Sequence, residues 1–422
     1  MHGTAPQDEQ SSGKLWPILS ICALVYLLDG LVHSILGPIA PAVERDLALS
    51  HAEMGPIFSA NLLGQVFGLI AFSLLAGKLG HRRVIILTAT GFGLFQAASA
   101  FANDGQVLFV LRFATGVFLG GALPSCLAMV AGVAPDHRRG LTIMALFTGY
   151  GSGAAIAGLV VGVFGDDGWR TATVAVGVVC LVTAALAWLL LRDASSAGAA
   201  ARPEIDKGSL NPVAILSPRL LVGTLALWLL FVVMLTISYC LNSWLPILLV
   251  EVGHDPTVAA YSVTTFALGG IIAALGVGLL IDRFGAFRVL ITFLSIAAAM
   301  LFGIGQVLAT ARSDVLLVLL GVCGFFVLGA YGGVNVVLAG YYPAALRAIG
   351  IGWTKSVGRV GTLVAPVLIG FALSNGIPET TVMSLFAVPA ALAVLALAVI
   401  AWATRRQAID AANLVAQPVA AE

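Results

Sequence analysis

Charge is scarce in this sequence. Asp, Glu, Lys and Arg make up 10% of its 422 residues, against about 25% in soluble globular proteins. Hydrophobic residues make up 60%, and mean hydropathy reaches +1.04. So much apolar surface cannot be wrapped as one core in a polar shell, which excludes a soluble enzyme carried on a single anchor. The net charge of +1 leaves no basic field and argues against a nucleic-acid partner. Cysteine is sparse as well: Cys22, Cys126, Cys180, Cys240 and Cys323 stand singly in apolar stretches, without C-x-x-C spacing or neighbouring histidines. They read as small core residues, and neither a metal nor a cofactor is expected. No H-E-x-x-H, Walker loop, paired carboxylates or Ser/His/Asp set occurs in a workable place, so no enzyme is expected. Gly149, Gly151 and Gly153 imitate a fragment of a nucleotide loop, but no strand precedes them and helix packing is the better reading.

Long apolar runs are what the chain has in quantity. A hydrocarbon core of about 30 Å needs about 20 apolar helical residues. Twelve stretches qualify: 16–39, 55–76, 84–102, 107–133, 141–164, 171–191, 221–250, 257–281, 288–310, 315–338, 348–374 and 380–403. The first is too long for the apolar segment of a signal peptide and has an acid inside it, so it is expected to be retained. The 48 glycines point to close helix contacts through pairs such as Gly116 with Gly120 and Gly149 with Gly153. Residues 73–84 (SLLAGKLGHRRV) recur 205 positions later as 278–289 (GLLIDRFGAFRV), the mark of a six-helix duplication. The expected fold is therefore an all-α membrane protein, twelve transmembrane helices in two six-helix pseudo-repeats. The halves are 1–192 and 220–406, the linker 193–219 and the tail 407–422. Parallel repeats of this kind bind substrate between halves that rock.

Lys and Arg set the orientation. With the N-terminus inside, 15 of the 21 fall on the cytoplasmic side. Arg45, Arg170 and Arg312 lie outside, and Arg112, Lys355 and Arg359 lie within spans. Both termini are expected in the cytoplasm.

Among the 20 acids only Asp29 lies deep in a span, and among the six histidines only His33 does. Four residues apart, they share a helix face. Asp29 is about 20 Å in from the cytoplasmic start of its span and Arg112 about 8 Å from the outer start of span four, so the two depths coincide in a core of about 30 Å. Arg359 is about 18 Å into span eleven, with Lys355 one turn below. A bare charge at mid-bilayer costs about 2.5 kcal/mol or more, so these groups must face one another or a watery cavity. One anion against three cations is balanced most simply by an anionic substrate, a carboxylate matched to an Arg fork. The alternative is structural: Asp29 pairing with Arg112, while Arg359 and Lys355 bond helix carbonyls or reach the interface. His33 fits either a proton relay or a bonded core residue. Tyr26, Tyr150, Tyr239 and Tyr331 lie within spans and suit stacking on a ring.

Gly278 to Arg288 (GLLIDRFGAFR) resembles the signature G-x-x-x-D-R-x-G-x-x-R of the major facilitator superfamily. Four segments are similar to the aromatic acid:proton symporters within it: Asp29-Gly30, Leu111-Arg112-Phe113 with Gly116, Ser243-Trp244-Leu245-Pro246, and Tyr342-Pro343 followed by Arg347, Gly350, Trp353 and Gly358-Arg359. The resemblance implies a monomeric, proton-coupled bacterial inner-membrane importer of 4-hydroxybenzoate, protocatechuate or related ring acids, working by alternating access. The residues and the resemblance together give the expected roles: substrate binding by Arg112, Arg359, Tyr331 and Asn335 with Lys355 as a modifier, proton coupling by Asp29 with His33 as a modifier, and a cytoplasmic gate of Asp282, Arg283 and Arg347. The chain departs from the pattern at Val32, where the family has a second acid, at Gly77 and Lys78 in the first loop signature, and at Lys355, where the family commonly has Asn. The alternatives are a transporter of another class, an aliphatic carboxylate importer or an efflux pump, and, less favoured, a non-transporting sensor.

The lopsided distribution of Lys and Arg predicts that a reporter fused after Glu422 is active only in the cytoplasm. Activity on the far side of the membrane would invert every depth given above.

Overall fold

The computed structural model describes residues 7–134, 139–165, 168–191, 212–343 and 346–416. Its helices are α1 (Gln7–Ser34), α2 (Leu36–Leu47), α3 (His51–Leu79), α4 (His81–Ala98), α5 (Gly105–Val133), α6 (Arg139–Phe164) and α7 (Trp169–Leu190), then α8 (Leu221–Glu251), α9 (Pro256–Phe284), α10 (Ala286–Val307), α11 (Ser313–Tyr341), α12 (Arg347–Ser374), α13 (Glu379–Leu385) and α14 (Ala387–Ala416). No strand occurs among the described residues. Twelve helical segments are long and apolar enough to span a membrane, the first being α1 with α2 and the last α13 with α14. Most of the expected linker, along with Arg138, Arg192, Arg202 and Lys207, lies outside the described residues.

Several helices overrun the apolar runs that announce them. The first span continues to Leu47 through Glu44, Arg45 and Asp46, and the second begins at His51. Hydropathy misses these turns because their polar groups are held by local bonds. Ser50 and Glu53 form a capping box, with Ser50 N–H and Oγ donating to Glu53 Oε2 at 2.9 and 2.7 Å. Asp104 accepts from Val107 N–H at 2.8 Å to open α5, and Asp255 accepts from Thr257 N–H at 2.8 Å to open α9.

The duplication is visible residue by residue. α3 and α9 each have 29 residues, and both begin and end 205 positions apart. Each is closed by a glycine at positive φ, Gly80 at 81° and Gly285 at 85°, where a side chain would be strained. α5 and α11 also match in length, now 208 positions apart. Within each half, small residues bring backbones together. A Cβ added at Gly116 or Gly120 would fall on the carbonyls of Asn61 or Gln65 in α3, and one at Gly153 on that of Leu27 in α1. Large apolar side chains such as Leu74, Val163, Leu368 and Phe371 stay exposed, as a lipid solvent requires.

The halves α1–α7 and α8–α14 touch mainly toward one end. There Gly37 backs onto the Asn242 carbonyl, Gly158 onto that of Ala260, and Gly370 onto that of His51. Hydrogen bonds cross as well, among them Ser59 Oγ to the Leu363 carbonyl at 2.8 Å, Ala52 N–H to Ser374 Oγ at 2.9 Å and Thr264 Oγ1 to the Ala155 carbonyl at 2.8 Å. Toward the other end, Gly77, Gly276, Gly278, Gly340 and Gly352 meet nothing from a neighbouring helix within 4 Å. One end is closed, the other open.

Gly158→Val would place carbon atoms on the Ala260 carbonyl and hold the closed end apart. Ser59, 8% exposed at the neighbouring contact of α3 with α12 in the same closed end, is therefore expected to become reactive as Ser59→Cys toward a membrane-impermeant thiol reagent in the Gly158→Val background only. Equal protection with and without Gly158→Val would show that the contact is not a seal.

Candidate functional site

The site begins with a break in the first span. Pro38 has no N–H to bond the Ser34 carbonyl and its ring crowds that oxygen, which kinks a helix. Ile35 N–H still bonds the Leu31 carbonyl at 2.9 Å, but no bond from Leu36 or Gly37 carries the ladder back to Val32 or His33. Backbone acceptors are thus freed in the middle of the membrane. Arg112 of α5 takes one of them, donating from Nη2 to the Val32 carbonyl at 3.0 Å and from Nη1 to Gln96 Oε1 of α4 at 2.7 Å. At 2% exposure it ties α1, α4 and α5 together.

Their spans imply equal depth for Asp29 and Arg112, but the two do not pair, and Arg112 reaches the Val32 carbonyl, about one turn beyond Asp29. Asp29 is 6% exposed and makes neither a hydrogen bond nor an ion pair. The cation acting on it is Arg359, on the opposite half. Arg359 Nη1 is buried without a partner. Its charge also acts on His33, Tyr239 and Tyr331.

Those three side chains line a cavity of about 530 Å³ between the halves, walled by α1 and α6 on one side and by α8, α9 and α11 on the other. Its surface is mostly aromatic and aliphatic, including Phe147, Tyr150, Phe266 and Leu328, with Thr148, Ser238 and Asn242 as polar points. The rings hold one another edge-on or tilted. His33 lies 5.0 Å from Tyr239 and 6.0 Å from Tyr150, and Tyr26 backs Tyr150 at 5.4 Å. The volume suits a small ligand.

Of the residues given binding, coupling or gating roles from the sequence, His33 and Tyr331 line this cavity, whereas Asp29, Arg112 and Arg359 do not, nor do the rest. Asn335 turns its amide back onto the carbonyls of Tyr331 and Gly332, at 3.0 and 3.3 Å. Lys355 is exposed and off the cavity. Asp282, Arg283 and Arg347 are exposed at the open end and make no ion pair among the described residues. Among the described residues no three His, Cys, Asp or Glu side chains gather to hold a metal. Counting charges alone overlooked the neutral polar groups: Gln96 at Arg112, Gln65 at His33, and Ser238 and Asn242 in the cavity wall. Each is an amide or hydroxyl inside an apolar span, the signal that was present.

A twelve-helix bundle with repeated halves and a central cavity is matched by a family model described as Major Facilitator Superfamily, over residues 22–262 and 227–419. The chain belongs to this superfamily. Its members are transporters, and this chain is a membrane transport protein, not an enzyme. It is 31% identical over 409 residues to a gallate transporter of Pseudomonas putida, covering 90% of this chain and 91% of the relative. It is 32% identical to a 4-hydroxybenzoate transporter of Pseudomonas aeruginosa, covering 90% of each. A third relative, the 3-(3-hydroxy-phenyl)propionate transporter of Escherichia coli, is also 32% identical, over 89% of this chain and 91% of its own. Among solved structures, the nucleoside transporter NupG superposes with a TM-score of 0.74 at 15% identity, over 92% of this chain and 98% of that one. A D-xylose-proton symporter superposes at 0.71 and 16% identity, over 90% and 97%. These two establish the fold.

Gln96→Leu tests the role of the Arg112 knot. Losing a hydrogen bond to a buried charge costs about 1.5–3 kcal/mol, so the thermal unfolding midpoint of the detergent-solubilised protein is expected to drop by several degrees. An unchanged midpoint would mean that Arg112 is held by its other contacts alone.

Proposed function

We propose that this transporter is a proton-coupled importer of aromatic or related small carboxylates in the bacterial inner membrane, acting as a monomer with both termini in the cytoplasm. The observation that carries the reading is the buried, unpartnered guanidinium nitrogen of Arg359, whose charge acts on His33, Tyr239 and Tyr331 of the cavity wall. An apolar environment makes an unmet N–H costly, and a carboxylate is the acceptor that matches an Arg fork. Tyrosine walls supply flat, rigid surface to the ring of such an acid. The relatives named for gallate, 4-hydroxybenzoate and hydroxyphenylpropionate support the same substrate class.

Under this orientation the open end faces the cytoplasm and the closed end the periplasm. Transport then proceeds by rocking the two repeats around a cavity that stays between them. Coupling follows from one cation serving two anions. Without substrate, Arg359 is the charge that offsets Asp29. A bound carboxylate claims that guanidinium, and Asp29, left with no other partner, is neutralised by a proton. Substrate and proton are thereby carried together, and release of the substrate to the cytoplasm returns Arg359 to Asp29 and frees the proton. Arg112 shapes the bend of α1 from behind, and the unpaired Asp282, Arg283 and Arg347 come together when the cytoplasmic end shuts.

Two variants test the reading in vesicles. Arg359→Lys keeps the charge but loses the planar fork, and substrate affinity is expected to fall at least tenfold while the protein remains folded in the membrane. Asp29→Asn is expected to abolish accumulation driven by an imposed pH gradient while exchange down the substrate's own gradient continues. Unchanged affinity in the first variant would remove Arg359 from recognition, and gradient-driven accumulation in the second would remove Asp29 from coupling.

A further inference from the structure

Resting on that reading of the cavity, we propose that His33 reads an oxygen substituent on the substrate ring as a neutral hydrogen-bond donor, with Gln65 as the positioning residue that fixes its tautomer. His33 Nδ1 lies 3.2 Å from Nε2 of Gln65. We take the Gln65 amide with its nitrogen toward the ring; an amide nitrogen only donates, so Nδ1 accepts and carries no proton. The single proton of the ring is then on Nε2, and the imidazole is uncharged. The charges of Arg112 and Arg359 both act on this ring, so a third positive charge there would meet repulsion from each.

Three features aim this donor at the ligand. His33 is part of the cavity wall, between Tyr150 and Tyr239. Gln65 comes from α3, outside that wall, and its backbone is pinned where α3 meets α5: the Gln65 carbonyl occupies the space a Cβ on Gly120 would need. The amide therefore approaches His33 from a fixed frame. Arg359, the group proposed to hold the carboxylate, acts electrostatically on the same imidazole.

The chemistry is selective in a way the tyrosines are not. A tyrosine hydroxyl donates or accepts by rotating, so it tolerates either kind of partner. A histidine locked as the Nε2–H tautomer offers only a donor, and it rewards an acceptor oxygen such as a ring hydroxyl. A ring lacking that oxygen leaves a polar N–H in the apolar wall without a partner. The predicted consequence is a preference of about tenfold for hydroxylated over unsubstituted benzoate, the effect of roughly one hydrogen bond.

Two measurements on the full-length protein decide the matter. In substrate-free protein labelled with ¹⁵N-histidine, the His33 signals are assigned by their loss in His33→Gln. A protonated Nε2 with a bare Nδ1 is expected, reversed in Gln65→Glu, whose carboxylate accepts from Nδ1–H. A wild-type ring protonated at Nδ1, or at both nitrogens, overturns the proposal without reference to any substrate. The second measurement is the ratio of dissociation constants for benzoate and for its 3- and 4-hydroxy forms, in wild type and in Gln65→Leu. A hydroxyl preference that shrinks severalfold in Gln65→Leu supports the inference. Benzoate binding with no hydroxyl preference, or with a ratio untouched by Gln65→Leu, refutes the role of His33 while leaving the aromatic-acid reading standing. Failure of all three acids to bind the wild type refutes that reading, and the inference with it.

Discussion

Polar groups in hydrocarbon must find partners within the protein, and this constraint organises the molecule at every level. It makes the spans helical, because only a helix satisfies its own backbone across about 30 Å of lipid. It explains the caps, Ser50 with Glu53, Asp104 and Asp255, that allow helices to run past the apolar stretches into charged sequence. At the centre it converts one local fault, the missing N–H of Pro38, into a site. The interrupted ladder of the first span leaves the Val32 carbonyl for Arg112, and that bond joins three helices of the N-terminal half.

The same rule bears on both arginines. Arg112 is buried with both terminal nitrogens bonded inside its own half and only Nε unmet. Arg359 has a buried nitrogen left over and stands across from an acid on the other half. A cation that is incompletely satisfied in one state of the protein is available to a ligand, and one shared between an acid and a ligand couples the two. The cavity's tyrosines and the neutral His33 then add shape and a directional hydrogen bond without adding charge.

Much of this was legible in the chain itself. Twelve spans follow from hydropathy, the duplication from the recurrence of residues 73–84 at 278–289, and the cluster of Asp29, His33, Arg112 and Arg359 near the midplane from helix rise alone. What eluded that arithmetic was partnership. Depth placed Asp29 level with Arg112, yet depth says nothing about azimuth, and Arg112 points into a gap in the backbone ladder while Asp29 meets the charge of Arg359. Asn335 and Lys355 share helices with site residues, but one folds back on its own carbonyls and the other faces away from the cavity. Gln65 and Gln96 went unnoticed because a search for charges passes over the amides that orient them.

The central claim is that a buried guanidinium awaits an anion. Counterflow in proteoliposomes with benzoate and benzamide tests it most directly, since the two rings match in size and differ mainly in the charge of one substituent. Benzoate is predicted to exchange at least tenfold faster than benzamide at equal concentration. Equal exchange of the two would show that the cavity recognises a ring alone, and that Arg359 does not hold the substrate.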